Sequence, residues 1–66
     1  MLDNAVKVVA KRAYEKGVHR FNAHRRLAMC YDIILELYPA FIFSEDELAE
    51  IAARASVKLN RGGRRK

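Results

Sequence analysis

Apolar residues recur at the three-and-four spacing of an α-helix in three separate stretches of the chain, and the breaks between them carry helix stop and start signals. In the first stretch Val6, Val9, Ala10, Ala13 and Tyr14 share one face. Asp3 stands where an N-cap belongs, and Gly17 supplies the stop, so the pattern predicts a helix over residues 3–16. Lys7, Lys11, Arg12 and Lys16 fall on the opposite side, with Glu15 placed to pair with Lys11 four residues earlier. Val8 lies off the stripe and predicts a wider buried face or a contact with another chain.

The second stretch, LAMCYDIILELY from Leu27 to Tyr38, is apolar in nearly every direction around a helix and is broken only by Asp32 and Glu36. Such a helix is expected at the centre of a fold. Asn22 is the natural N-cap and Pro39 ends the run, which predicts a helix over 22–38. Cys30 reads as a small core residue.

The third start signal is the clearest. FSEDEL, residues 43–48, combines Ser44 as N-cap, Glu47 for a capping box, and Phe43 against Leu48 as a hydrophobic staple. Acids at 45, 46 and 47 sit where the helix dipole favours them. Leu48, Ile51, Ala52, Ala55 and Leu59 continue as an apolar stripe, Ala49, Ala53 and Ser56 permit close approach, and Glu50 pairs with Arg54. The predicted helix covers 45–60, fraying near Asn60, with Gly62 and Gly63 releasing a basic end. The expected fold is all-α: a small three-helix bundle in one domain, 1–60, followed by a flexible basic tail, 61–66.

The stretch LAEIAARASV, residues 48–57, looks like the first helix and turn of a helix-turn-helix DNA-binding motif. It departs from that pattern in two ways. Ser56 takes the place of the usual turn glycine, and the recognition helix would be KLNRGGRRK, with two adjacent glycines and no apolar positions to hold it on a core. Residues 45–60 therefore read as one continuous helix.

With 66 residues, 52% of them apolar and 32% charged, the chain has room for one modest core and is too apolar to be disordered. Its single cysteine allows no internal disulfide, which points to a reducing cytoplasm. No secretion signal is evident, and the apolar region Ile33–Phe43 is too short to cross a bilayer, so no membrane partner is expected.

Charge is the informative part of the composition. Residues 1–26 sum to +5, residues 27–53 to −6, and residues 54–66 to +6. Basic ends around an acidic middle predict a surface that faces a polyanion. Arg20, Arg25 and Arg26, with His19 and His24, crowd the joint before the second helix, where cations oppose the helix dipole by about 0.3–1 kcal/mol each. Backbone N–H groups at a helix start and guanidinium forks together suit phosphate. The candidate anion-binding residues are thus Lys7, Lys11, Arg12, Lys16, Arg20, His24, Arg25 and Arg26, with Arg61, Arg64, Arg65 and Lys66 in the tail.

No catalytic, metal or cofactor site is expected. Asp32 and Glu36 are paired carboxylates without a nucleophile or ligand set, and His19 and His24, five apart, lack further ligands. Two functions remain. One is a non-enzymatic regulator or accessory factor that binds DNA or RNA through phosphate contacts, with no base-reading device. The other is a protein-binding regulator or inhibitor that docks its basic surface and the Phe41, Ile42, Phe43 segment on an acidic partner, such as a nucleic-acid-processing enzyme. That segment, an apolar connection between helices, is expected to plug the bundle in part, and any exposed remainder favours self-association as a homodimer or a protein partner.

Overall fold

The computed structural model describes residues 2–64, with side chains through Asn60. It contains three helices, α1 (Leu2–Glu15), α2 (Ala23–Leu37) and α3 (Glu45–Arg64), and a single 3-10 turn, Val18–Arg20, between the first two. The expected three-helix, all-α architecture is what the chain adopts.

The helix ends follow from local chemistry. Gly17 leaves α1 with φ of 80°, in the left-handed region that glycine enters without penalty, and its N–H donates to the Tyr14 carbonyl at 3.0 Å. The Asn22 Oδ1 accepts the Arg25 N–H at 3.0 Å, so Asn22 caps α2 as expected. At the start of α3 the capping box closes in both directions: the Ser44 N–H donates to Glu47 Oε1 at 2.8 Å, and the Glu47 N–H donates to Ser44 Oγ at 3.2 Å. Asp3 differs from expectation. Helix α1 already begins at Leu2, so Asp3 lies inside the first turn and caps nothing.

Helix α3 is continuous through residues 48–57, with no turn of a helix-turn-helix within it. Its backbone passes Asn60, Gly62 and Gly63 and ends at Arg64, later than the glycines alone suggest. The tail expected over 61–66 falls on this last turn and on Arg65 and Lys66, which lie outside the described residues.

The core is built from small aliphatic side chains. Ala5, Val6, Val9 and Ala13 of α1, Val18 of the 3-10 turn, Cys30, Ile33 and Ile34 of α2, and Ile51, Ala52, Ala55 and Leu59 of α3 form one buried cluster. Tyr31, Tyr38, Phe43 and Leu48 pack half-buried against it. Tyr14, expected on the α1 stripe, is instead 56% exposed, because it lies at the edge of the face centred on Val6, Val9 and Ala13.

Sequence pattern places α2 at the centre, but the structure gives that position to α3. Helix α3 packs on both α1 and α2, whose mutual contact is smaller. The reason is size. Fully buried Ala52 and Ala55, with buried Ser56 beside them, let two neighbours approach one helix. Ala49 and Ala53, the other small residues of this helix, are exposed. Helix α2 buries only one side and leaves Leu27, Leu35 and Leu37 exposed.

The connection from α2 to α3 divides as its sequence suggests. Phe43 meets the Tyr38 ring edge-on, with centroids 5.2 Å apart, and closes the end of the bundle. Phe41 and Ile42 stay outside, 86% and 48% exposed.

Cys30 has no solvent exposure, and burial raises its thiol pKa against a smaller opposing effect of Arg26. Native protein is expected to react with a thiol reagent only as fast as it opens, and denaturant is expected to release rapid labelling. Cys30→Ser is expected to cost about 1–3 kcal/mol by burying a hydroxyl without a partner. Fast labelling under native conditions, or an unchanged urea midpoint for the serine variant, contradicts this placement.

Candidate nucleic-acid interface

The basic residues separate into those used by the fold and those left to solvent. On α1, Arg12 Nη1 lies 3.6 Å from Glu15 Oε1, an i,i+3 pair that takes the acid expected to serve Lys11. Lys16 Nζ reaches across to Glu36 at 3.2 Å and ties the end of α1 to the last turn of α2. Lys7 and Lys11, four residues apart on the exposed side of α1, have no carboxylate partner among the described residues.

The joint between α1 and α2 is more ordered than a string of bases implies. The His19 ring stacks on Tyr14, with centroids 4.1 Å apart and planes 21° apart, and its Nδ1 is buried without a partner among the described residues. The Arg26 Nη1 donates to the Phe21 carbonyl at 2.8 Å, while the Arg25 guanidinium lies 5.1 Å from the centre of the Phe21 ring. Both arginines that oppose the helix dipole therefore have a local attraction. Arg26 is half-buried, and its Nε is enclosed without a partner among the described residues. Arg25, Arg20 and His24 are exposed. Among the described residues no cluster of three His, Cys, Asp or Glu side chains is placed to hold a metal.

Helix α3 adds two bases that the sequence reading left out of the site. Arg54 donates to Asp3 at 2.5 Å and to Glu50 at 3.3 Å, joining the start of α1 to the middle of α3. The Glu50 contact follows from spacing, whereas the Asp3 contact spans 51 positions and has no local signal. Lys58, one turn beyond Arg54, is exposed and borders an open groove of about 300 Å³ with Val6, Ala53, Arg54 and Val57. The four-residue step from Arg54 is the signal that finds it. Arg61 and Arg64 occupy the last turn of α3, and Arg65 and Lys66 lie outside the described residues.

The carboxylates are allotted differently. Asp3, Glu15, Glu36 and Glu50 each hold a base, and Glu47 holds the α3 cap. Asp32 and Glu36 line a second open cavity, of about 240 Å³, with Lys16 at its rim and Val18, Met29 and Ile33 below. Lys7, Lys11, Arg20, Arg25 and Lys58 are thus the exposed Lys and Arg residues with no carboxylate partner among the described residues, while half-buried Arg26 is held by a carbonyl instead. No helix among the described residues is long and apolar enough to cross a membrane. Comparison with known proteins adds no relative: no family model, no curated protein and no solved structure matches the chain.

Arg54 holds the Asp3 carboxyl below its ordinary pKa, first by hydrogen bonding and then by charge. A lowered folded-state pKa adds stability that is present above the unfolded value and is lost as the pH falls through the folded value. Asp3→Asn is therefore expected to lower the urea midpoint slightly at neutral pH. The gap is expected to begin closing below pH ~3.9, the ordinary Asp value, and to vanish once the pH is under the lowered folded value. A gap that persists unchanged into acid contradicts this role for the pair.

Proposed function

We propose that this chain is a non-enzymatic helical protein that binds nucleic acid through phosphate contacts and acts as a regulator or accessory factor. One observation carries the reading: the fold engages Asp3, Glu15, Glu36 and Glu50 in pairs and Glu47 in a cap, with Asp32, Glu45 and Asp46 left exposed, yet leaves the larger set Lys7, Lys11, Arg20, Arg25 and Lys58 exposed without a carboxylate partner among the described residues. Exposed cations on two helices and the joint suit a phosphate backbone, which attracts them irrespective of base sequence. Arg61, Arg64, Arg65 and Lys66 extend the same charge along the chain beyond Lys58. Arg12, Lys16 and Arg26, which already hold partners within the chain, contribute less to such a contact.

No base-reading role is assigned to the tyrosines. Tyr31 and Tyr38 pack against the core, and His19 covers one face of Tyr14. Binding by this route is expected to be strong at low salt, weak in sequence preference, and indifferent to bound metal.

A second reading rests on a different observation. Phe41 is 86% exposed in a short turn beside exposed Ile42, an unusual place for a large aromatic side chain. Docked on an acidic protein, this tip acts as an apolar anchor and the bases as its surround. Phe43 is not part of that anchor, since it closes the bundle against Tyr38.

Fluorescence anisotropy with a mixed-sequence duplex and a single strand, repeated over a range of salt, tests the first reading. Log affinity is expected to fall linearly with log salt, and Lys7→Ala with Lys11→Ala is expected to reduce the slope by about one for each phosphate contact removed. Absence of binding at low salt rejects the proposal. Recovery of one stoichiometric protein from nuclease-treated lysate, lost with Phe41→Ala, supports the second reading instead.

A further inference from the structure

Helix α2 is charged the wrong way round for a helix that stands alone. Its first turn holds Arg25 and Arg26 and no acid, its acids Asp32 and Glu36 lie in the second half, and no base occupies its last turn. Each end therefore opposes the helix dipole, which favours acids at the start and bases at the end. Internal contacts offset part of this, through Arg26 on the Phe21 carbonyl and Lys16 on Glu36. Arg25 and Asp32 have no oppositely charged partner among the described residues.

The same helix carries an apolar seam on its outer side. His24, Ala28, Tyr31 and Leu35 follow one another at steps of four, three and four, the spacing by which one helix presents a single line to another. Leu35 is 50% exposed, Leu27 beside the seam is 38% exposed, Ala28 is exposed and Tyr31 is half-buried. α1 and α3 leave most of this side open: the fully buried residues of α2, Cys30, Ile33 and Ile34, lie on the opposite face, and Tyr31 reaches the core only in part.

We infer that the outer face of α2 is a self-association surface, on which a second copy of this chain lays its own α2 antiparallel across a two-fold axis between Ala28 and Tyr31. The charge pattern selects this occupant because it is complementary to itself only when reversed. Antiparallel pairing brings the Arg25 end of each helix to the Glu36 end of the other, twice over, and sets the two dipoles head to tail. Arg25, Asp32 and Glu36 lie on the same flank of the seam, as an antiparallel pair requires for charges that meet across it. A parallel pair brings like charges together at both ends. The small Ala28 leaves space for Tyr31 of the second copy, which sets the helices close enough for Leu35 to reach the His24 end. Lys7, Lys11 and Lys58 take no part in the pairing, whereas Arg25 belongs to both surfaces, so Leu35→Asp is the change that separates dimerisation from phosphate binding.

Sedimentation of the intact chain over the micromolar to millimolar range tests the surface. A concentration-dependent dimer is expected, and Leu35→Asp, at an exposed position, is expected to leave a helical monomer by circular dichroism. Arg25→Glu and Glu36→Arg are each expected to weaken the dimer by about tenfold or more, since each sets like charges opposite one another twice. Mixed together, these two variants are expected to form a heterodimer with both pairs restored. Lys16→Gln, which releases Glu36 from its internal partner, is the control expected to remain dimeric. A wild-type chain that stays monomeric overturns the inference, as does a dimer that survives both reversals or two variants that fail to associate on mixing.

Discussion

The close approach that α3 allows on two sides is the constraint on which the rest of the structure depends. Ala52 and Ala55 have no exposure and Ser56 almost none, so α3 meets both α1 and α2 at short range. The space between the helices is then narrow, and Val6, Val9, Val18, Ile34 and Ile51 fill it without a single fully buried aromatic ring. Larger groups are displaced to the rim. Tyr38 and Phe43 close one end, and Tyr14 lies outside on His19. A core of this size leaves a thin stability margin, which gives unusual weight to the caps at Asn22 and Ser44 and to the left-handed Gly17.

Central placement of α3 also decides the electrostatics. Its middle lies against the start of α1, so Arg54 meets Asp3 across the whole sequence, and the acids of its first turn serve its own dipole. The fold draws on carboxylates more heavily than on bases. What remains outside is positive, a property of how the charges are allotted and not only of the net figure of +5.

Most local signals in the sequence were legible to the residue. The Asn22 cap, the Gly17 stop, the capping box at Ser44 and Glu47, and the Glu50–Arg54 pair all depend on neighbours within four positions. Which helix lies centrally was not legible, because apolar content marks what prefers burial while the size of the buried side chains decides how near helices come. LAMCYDIILELY is the more apolar stretch, yet EIAARAS is the one that two neighbours can approach. The Asp3–Arg54 pair, 51 positions apart, had no local signal at all, and two local readings failed: α1 starts one residue before Asp3, and Glu15 pairs with Arg12 in place of Lys11. At the joint, composition marked a basic cluster, but only geometry divides it into Arg26, turned to a carbonyl, and the exposed Arg20, His24 and Arg25.

The order of the helices along the chain gives α3 one more consequence. It is the last of the three to leave the ribosome, and it supplies the surface on which the other two bury their apolar faces. While α1 and α2 emerge, they have only their lesser mutual contact to rely on, and isolated helices of 14 and 15 residues are marginal in water. Burial of either helix therefore waits on Ile51 to Leu59, which complete the core.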